Sequence, residues 1–277
     1  MSSAAHCRSA YERADAILGA FDADHPSLSL SGLTARTGLP KTTLYRSLVK
    51  MLELGWVTRN GARYQPGNRL FEFAGLCGLQ ADLRAAALPC LEDLYEVTHE
   101  TVHLAVLDGS EVFYVEKLVG HRVATPLSRV GGRMPAYCTA LGKVLTAYSA
   151  EDVRARFLGG PLVARTSSTI VSASTMEREL RQIERVGVGF DREETVIGLM
   201  CIAAPVHGAD GRCVAAVSVA GPSSRLLPAR TVSRVREAAA QISRKIANRP
   251  PSVARARSRP GTRPATAARK SVLPLAR

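Results

Sequence analysis

Residues 29–65 constrain the fold of this 277-residue chain more than any other segment. Two short helices are predicted on either side of a tight turn, because Gly38 is a favoured helix terminator and Pro40 a favoured first-turn residue. The second of these helices stops near Gly55. The pair Asn60-Gly61 then joins two short extended runs, which is the strongest local signal of a β-hairpin. The segment therefore predicts helix, tight turn, helix and hairpin, in that order.

Another helix is predicted before this segment. The spacing Ser9-x-x-Glu12 is a capping box, and apolar residues follow it on one face until residues 22–26 interrupt the helix. The next helix begins near Ser29. We expect it to be weaker than its neighbours, because Gly32 stands where a glutamate would complete a second capping box. Residues 8–66 are therefore predicted to form a winged helix-turn-helix domain.

The remainder of the folded chain has a different pattern, predicted to span residues 88–248. Extended runs at 102–106 and 112–118 are joined by Asp108-Gly109, and two later runs, at 200–206 and 213–219, are joined by Asp210-Gly211. Strands and helices mix without a regular βαβ rhythm. This half is therefore predicted to be α+β around an antiparallel sheet.

Helix signals divide the same half and connect it to the first domain. A single linker helix is predicted over 67–87. Further helices are predicted at 89–98, at 139–148, at 150–158 after Ser149-x-x-Asp152, from Ser174-x-x-Glu177 to Gly187, and at 228–247.

The chain is basic, with 37 Lys and Arg residues against 24 Asp and Glu. This excess favours a polyanionic partner, nucleic acid before a membrane, because neutralising phosphates releases counterions. Residues 249–277 hold eight of the basic residues and no acidic one, and they are poor in large apolar side chains. We expect this tail to be disordered. It either adds nonspecific affinity for nucleic acid or is inert.

Cysteine spacing and hydropathy exclude several classes of protein. The six cysteines form no C-x-x-C pair and have no zinc-like spacing to histidine, so we expect no metal and no cofactor. No apolar run approaches the ~18 residues of a membrane span, and residues 1–20 lack the apolar core of a signal peptide. We therefore expect a cytoplasmic protein with reduced thiols and no membrane partner.

The helix after Pro40 carries candidate DNA contacts. With Leu44 and Leu48 in the core, helical geometry turns Thr42 and Arg46 about 200° away from them. A recognition helix offers short polar and basic side chains to base edges and phosphates in this way. The candidate contacts are Lys41, Thr42, Thr43, Tyr45 and Arg46 on the helix, with Arg59 and Arg63 on the hairpin. The alternatives are a helical domain with a solvated basic face and a protein-interaction module.

Several motifs resemble the IclR family of bacterial transcription regulators. Residues 38–46, GLPKTTLYR, resemble the start of the family's recognition helix, and GRMP at 132–135 with TALGK at 139–143 resembles a second family stretch. The most specific resemblance is GVGFDREE at 187–194 followed by GLMCIAAPV at 198–206. Asp210-Gly211 and residues 216–222 complete a resemblance that covers about residues 9–247.

This resemblance implies a GAF-like effector domain and a homodimer or homotetramer (a dimer of dimers) on a palindromic operator in double-stranded DNA. It also implies control of catabolic genes by a small organic acid or aromatic metabolite, with repression more frequent than activation. The implied effector contacts are Ala140, Leu141, Asp191, Leu199, Cys201 and Ser218. Many members have a serine where this chain has Ala220, so a simple glyoxylate- or pyruvate-like ligand is disfavoured.

The residues alone indicate a similar pocket less sharply. Asp191 would meet Cys201 and Ser218 only if their strands are adjacent, as a hairpin at residues 210–211 requires for the last two. Hydroxyl, thiol and helix N-terminal N–H groups suit a ligand with a carboxylate or carbonyl. Arg133 is a further candidate charge partner.

Other interpretations remain open for these residues. Cys201 is equally well explained as a small buried apolar residue, and Glu193-Glu194 as a solvated or capping pair. In an enzyme, Cys201 would be a nucleophile with His99, His103 or His207 as its base. No spacing links them, and a mid-strand apolar position disfavours a thiolate. A nonspecific nucleic-acid-binding protein would use the basic tail, which lacks aromatic residues for base stacking. We therefore expect a regulator and not an enzyme.

Overall fold

The computed structural model describes residues 9–22, 24–76, 78–120 and 128–248. The tail predicted at 249–277 lies outside these residues. The first part of the chain forms α1 (Ala10–Leu18), β1 (Leu28–Ser29), α2 (Leu30–Thr37), α3 (Lys41–Glu53), β2 (Val57–Asn60) and β3 (Arg63–Pro66).

Local signals set the boundaries of these N-terminal elements. Ser9 caps α1 in the predicted capping box, and the Ser29 hydroxyl accepts the Gly32 N–H at the start of α2. Gly38 ends α2 in the left-handed conformation, with φ of 67°, which glycine adopts without steric cost. The hairpin forms at Gly61 as expected. It also gains a strand that sequence reasoning missed, because β1 pairs antiparallel with β3.

The linker prediction was wrong in its helical boundaries. Two helices replace the single helix over 67–87: α4 (Asn68–Gly75) and α5 (Gly78–Thr98). Glycines flank the break and weaken helix propagation there. Conversely, α5 continues through Pro89, which the sequence suggested as a helix start. Leu83 before the proline and Leu91 after it are both buried in one core, and this packing outweighs the local cost of about 3 kcal/mol for an internal proline.

The C-terminal part contains one six-stranded antiparallel sheet with helices on both faces. Its remaining elements are β4 (Thr101–Asp108), β5 (Glu111–Leu118), β6 (Arg133–Pro135), a 3₁₀ turn (Ala136–Cys138), α6 (Ala140–Ala147), α7 (Glu151–Leu158), α8 (Ala173–Val186), β7 (Gly189–Arg192), β8 (Leu199–His207), β9 (Cys213–Pro222) and α9 (Pro228–Ala247). The strand order is β6-β5-β4-β9-β8-β7. The predicted α+β class is confirmed.

Two apolar cores lie on opposite faces of this sheet. Helices α5 and α9 pack on one face around residues such as Leu91 and Ile242. Helices α6, α7 and α8 pack on the other, around residues such as Val144 and Leu180. The second face carries the polar cavity described below.

Two predicted helix caps were wrong. The Ser149 hydroxyl donates to the Thr146 carbonyl instead of capping α7, which starts after Ala150. Helix α8 starts at Ala173 with Ser172 in the N-cap position, two residues before the predicted cap, Ser174. Neither helix has a side-chain hydrogen bond at its N-cap residue, Ala150 or Ser172.

Candidate nucleic-acid interface and ligand cavity

Helix α3 separates its apolar stripe from its polar face as predicted. Leu44 and Leu48 are fully buried, and Met51 is almost so. Lys41, Thr42, Tyr45 and Arg46 are exposed, and Thr43 is half-buried. Within the described residues, no ion pair involves Lys41 or Arg46. The first two turns of α3 therefore present two cationic and several polar side chains to solvent, as a recognition helix must.

The two arginines of the hairpin differ in their surroundings. The Arg59 side chain is exposed, donates to the Gly61 carbonyl at 2.7 Å and stacks 5.6 Å from the Tyr64 ring centroid. Arg63 is also exposed, but its Nε donates to the Ser27 hydroxyl at 2.9 Å and one terminal nitrogen to the Ser27 carbonyl. Arg63 thus ties β3 to the segment that leads into β1, and only part of its guanidinium remains available.

A small cavity lies between the large sheet and the start of α6. Two neighbouring rows of cross-strand partners form its floor. The first row consists of Thr101, Ala220, Cys201 and Asp191, on β4, β9, β8 and β7. The second row consists of Lys117, His103 and Ser218, on β5, β4 and β9. Residues two apart on a strand share a face, so both rows line one cavity of about 50 Å³.

The start of α6 forms the opposite wall. The Thr139 hydroxyl accepts the Gly142 N–H at 3.1 Å as the N-cap, and both Ala140 and Leu141 line the cavity. Helix α6 can lie close to the sheet because Gly189 has no side chain; a Cβ there would be 2.7 Å from an α6 methyl group. The unpaired N–H groups and the dipole of a helix N-terminus favour an anion.

His103 is the centre of a polar cluster at one end of the cavity. Its Nε2 is 2.8 Å from the Ser128 hydroxyl, and its Nδ1 is 3.4 Å from the Ser218 hydroxyl. Burial, with a smaller contribution from the Lys117 charge, lowers the pKa of His103 to about 3, so the imidazole is neutral at pH 7. The Lys117 ammonium donates to the Ser128 carbonyl at 2.6 Å. This end therefore holds one cation beside a neutral ring.

Asp191 closes the other end of the cavity. Its Oδ1 accepts the N–H of Glu194 at 2.7 Å and of Thr195 at 3.4 Å, while its Oδ2 accepts the Thr195 hydroxyl at 2.6 Å. Burial raises the pKa of Asp191, and these hydrogen bonds oppose that rise. Asp191 therefore organises the turn after β7 as well as lining the cavity.

A buried ion pair connects this turn to α6. Lys143 is fully buried, with its Nζ 2.5 Å from Glu194 Oε1 and 3.4 Å from Glu179 Oε1. Burial raises the pKa of Glu194, and the Lys143 charge opposes that rise. Glu194 Oε2 is buried and accepts no hydrogen bond from any residue that the structure describes. The pair fixes the turn that carries Asp191 against the helix that forms the opposite wall, so Glu194 is not the solvated residue considered above.

The cavity floor includes the thiol of Cys201. Burial raises the pKa of the Cys201 thiol well above its usual value, and the Asp191 carboxylate raises it further. A thiol in this state is a poor nucleophile at neutral pH. The surroundings of Cys201 therefore disfavour the nucleophile that the enzyme interpretation requires.

All six effector residues implied by the family resemblance line this single cavity. Arg133 does not: its guanidinium pairs with Asp108 and lies 3.6 Å from Glu111 at the surface, so its assignment as a charge partner was wrong. Sequence reasoning also missed several lining residues, namely Thr101, Tyr114, Lys117, Ser128, Met134, Thr139 and Thr195, and it considered His103 only as a base.

Sequence reasoning missed Tyr114 and Lys117 because the pairing of β4 with β5 is irregular, and no sequence pattern indicated this. The pairing of β4 with β5 shifts between Leu104 and Ala105, so that Leu104 faces Glu116 and Ala105 faces Tyr114. The extra residue, Val115, forms a β-bulge. Tyr114 and Lys117 are three positions apart and would lie on opposite faces of a regular strand, yet both line the cavity.

The described residues contain neither a metal-binding cluster nor a membrane-spanning helix. No group of three or more His, Cys, Asp or Glu side chains in this part of the chain could hold a metal ion. Across the same residues, no helix is both long enough and apolar enough to cross a membrane.

A winged helix with an exposed basic face on α3, followed by an α+β unit with a polar cavity, is an arrangement typical of transcription regulators. Comparison with known families agrees. Residues 10–61 match the IclR helix-turn-helix domain, and residues 79–247 match the C-terminal domain of the bacterial transcriptional regulator IclR. The chain therefore belongs to the IclR family of bacterial transcriptional regulators.

Individual relatives support the same conclusion. The chain is 35% identical over 219 residues to the transcriptional regulator XynR of Escherichia coli, covering 78% of this chain and 86% of the relative. It is 31% identical over 248 residues to the repressor AllR of Escherichia coli, covering 84% and 89%. A solved IclR homolog from Microbacterium hydrocarbonoxydans, complexed with 4-hydroxybenzoate, has a TM-score of 0.80 at 30% identity, covering 86% and 99%. The chain is thus a DNA-binding transcription regulator of IclR type and not an enzyme.

Proposed function

We propose that this regulator binds a small carboxylic acid, aliphatic or aromatic, in the cavity between α6 and the sheet, and that the acid changes its affinity for operator DNA. The observation that carries the proposal is the open start of α6, which faces a polar cavity floor across a space of about 50 Å³. Such a site suits a carboxylate, because helix N-terminal N–H groups and hydroxyls donate to it. The solved relative complexed with 4-hydroxybenzoate is compatible with this class of ligand.

The proposed effector contacts fall into two groups. Ala140 and Leu141 would hold the carboxylate through the helix N-terminus. Asp191, Leu199, Cys201 and Ser218 would shape the rest of the site, with Asp191 acting mainly through the turn that it organises.

The proposed DNA contacts are those of α3 and the wing. Lys41, Thr42, Thr43, Tyr45 and Arg46 would enter the major groove or contact its phosphates, and Arg59 would contact the flanking backbone. We propose a lesser role for Arg63, because Ser27 already accepts two of its hydrogen bonds. The proposed units are residues 8–66 for DNA binding, 67–87 for linkage and 88–248 for effector binding.

We further propose a homodimer or homotetramer acting on a palindromic operator, as a repressor in the cytoplasm. Phe71 and Leu76 on and after α4 are about four-fifths exposed, and a second copy of the chain would cover such an apolar surface. Repression is proposed because the relative AllR is a repressor. Activation is the alternative.

The test is a binding titration with a fluorescent operator fragment from upstream of the protein's own gene, with and without butyrate or 4-hydroxybenzoate, as an aliphatic and an aromatic acid, at constant ionic strength. We expect the ligand to change operator affinity, since a ligand shifts an equilibrium as far as its affinities for the two states differ. Ala220→Leu, which would fill the cavity, is expected to retain DNA binding and lose the response. An equal response in this variant would place the acid elsewhere.

A further inference from the structure

The cation at the end of the cavity opposite Asp191 has no acidic counterpart. Lys117 is half-buried and donates to the Ser128 carbonyl, but none of the ion pairs among the described residues involves it. All 24 Asp and Glu residues of the chain lie within the described ranges. No Asp or Glu side chain in the undescribed segments can therefore be its partner. Lys117 is a cation at the cavity wall, and one of its three N–H groups is hydrogen-bonded within the described residues.

The geometry of β5 places the Lys117 ammonium on the cavity side of the sheet. The β-bulge between the two halves of the β4–β5 pairing brings Lys117 to the cavity side, opposite His103. On the other face of the sheet, the neighbouring Glu116 is paired with Arg84, so that carboxylate is engaged elsewhere. A half-buried ammonium costs desolvation free energy unless an anion meets it. Its burial lowers the pKa of Lys117 accordingly.

The groups beside Lys117 do not supply that anion. His103 is neutral at pH 7, and the Ser128 and Ser218 hydroxyls carry no charge. Asp191 lies in the other row of the floor, where its oxygens are engaged by the turn after β7. The cavity therefore has two separate places that favour negative charge: the N-terminus of α6 and the Lys117 ammonium.

We infer that the effector is a short acid with anionic groups at both ends, one bound by the start of α6 and the other by Lys117. This inference rests on the proposed carboxylate site and specifies its ligand class. The small volume favours a short molecule, since one buried water already needs about 10–15 Å³ of such space. Lys117 is thus the residue that distinguishes a two-ended acid from a one-ended acid of the same length.

The test compares matched acids on the full-length protein. Dissociation constants are measured by calorimetry for propionate against malonate and for butyrate against succinate, at equal pH and ionic strength. The better diacid is expected to bind about tenfold more tightly than the monoacid of the same length, equivalent to about 1.4 kcal/mol. In Lys117→Gln this preference is expected to disappear while monoacid affinity is retained. Lys245→Gln, an exposed lysine on α9, serves as the control for lost charge and is expected to retain the preference.

Three results would contradict the inference. Equal binding of monoacids and diacids by the wild-type protein would overturn it while leaving the carboxylate site intact. A diacid preference that survives in Lys117→Gln would assign the second anion to another group. Failure of all four acids to bind would overturn both the inference and the proposed site for short acids. A folding defect is recognised separately, because it would reduce monoacid and diacid affinity together.

Discussion

The two functional regions of this regulator are built in opposite ways. The proposed DNA-binding face of α3 consists of mostly exposed side chains on one helix, and its geometry depends on a single apolar stripe through Leu44 and Leu48. The cavity of the C-terminal part is lined by mostly buried residues, many of them polar, from the six strands of the large sheet and the start of α6. Charge is displayed to solvent in the first region and enclosed in the second. The comparison predicts that substitutions in the first affect binding alone, whereas those in the second affect both stability and response.

The largest effect is expected at the buried ion pair behind the cavity. Lys143→Met should lower the free energy of unfolding by about 3–5 kcal/mol, because it leaves the buried Glu194 carboxylate without its cation. Urea unfolding followed by circular dichroism measures this. The double variant Lys143→Met with Glu194→Gln should recover part of the loss. A loss below about 1 kcal/mol in the single variant would mean that the pair is not enclosed.

The corresponding substitution on α3 is Arg46→Ala, and it should leave the free energy of unfolding unchanged. Arg46→Ala is expected to weaken operator binding by about 1–3 kcal/mol, or about 5- to 150-fold, since a specific arginine contact contributes that much. Fluorescence anisotropy at fixed salt measures the affinity, with the exposed Lys245→Ala as control. If Arg46→Ala also changed the urea midpoint, the side chain would have a structural role and the contrast between the regions would weaken.

Lowering the pH should destabilise the folded protein because His103 is buried in its neutral form. The pKa of His103 is lowered from 6.5 to about 3 in the folded state, so the unfolded chain binds its proton first as the pH falls. The contribution of this group to the free energy of unfolding is therefore complete above pH 6.5. It decreases by about 1.4 kcal/mol per pH unit as the pH falls from 6.5 to 3. Between pH 7.5 and 5.0, wild type should therefore lose about 2 kcal/mol more than His103→Gln. Parallel losses in urea unfolding would show that the imidazole is hydrated.

The smallest effect is expected at the wing. Arg63→Ala removes the hydrogen bonds to Ser27 and should weaken DNA binding by about threefold or less, equally for operator and scrambled DNA. The slope of affinity against salt should stay unchanged if Arg63 mainly holds the wing. A slope reduced by about one unit would instead identify it as a phosphate contact.

The same contrast explains what sequence could predict. Helix ends at Ser9 and Gly38 and the turns at Asn60-Gly61 and Asp210-Gly211 are local signals, and the elements that they bound were predicted. The cavity depends on which strands are neighbours and on a one-residue bulge, and both are non-local properties of the sheet. Lys117 and Tyr114 were missed for this reason, whereas the family resemblance supplied Asp191 and Ser218 without any geometry.

Prediction also failed where packing competes with local preference. Proline is favoured in the first turn of a helix, so Pro89 was predicted as a helix start. However, apolar residues on both sides of it are buried together, and α5 continues through it. Arg133, within the motif at 132–135, was considered a further candidate charge partner for the ligand. Strand β6 instead carries it to the surface beside Asp108.

The most direct test of this account is selection from a random DNA library by the purified full-length protein, followed by affinity measurement on the enriched sequence and a scrambled copy at one salt concentration. The account predicts enrichment of an inverted repeat that binds about a thousandfold or more tightly than its scrambled copy, and a preference lowered by about 5- to 150-fold in Arg46→Ala. Equal binding of both DNAs by the wild-type protein, with no enriched sequence, would contradict the assignment of α3 as the recognition helix.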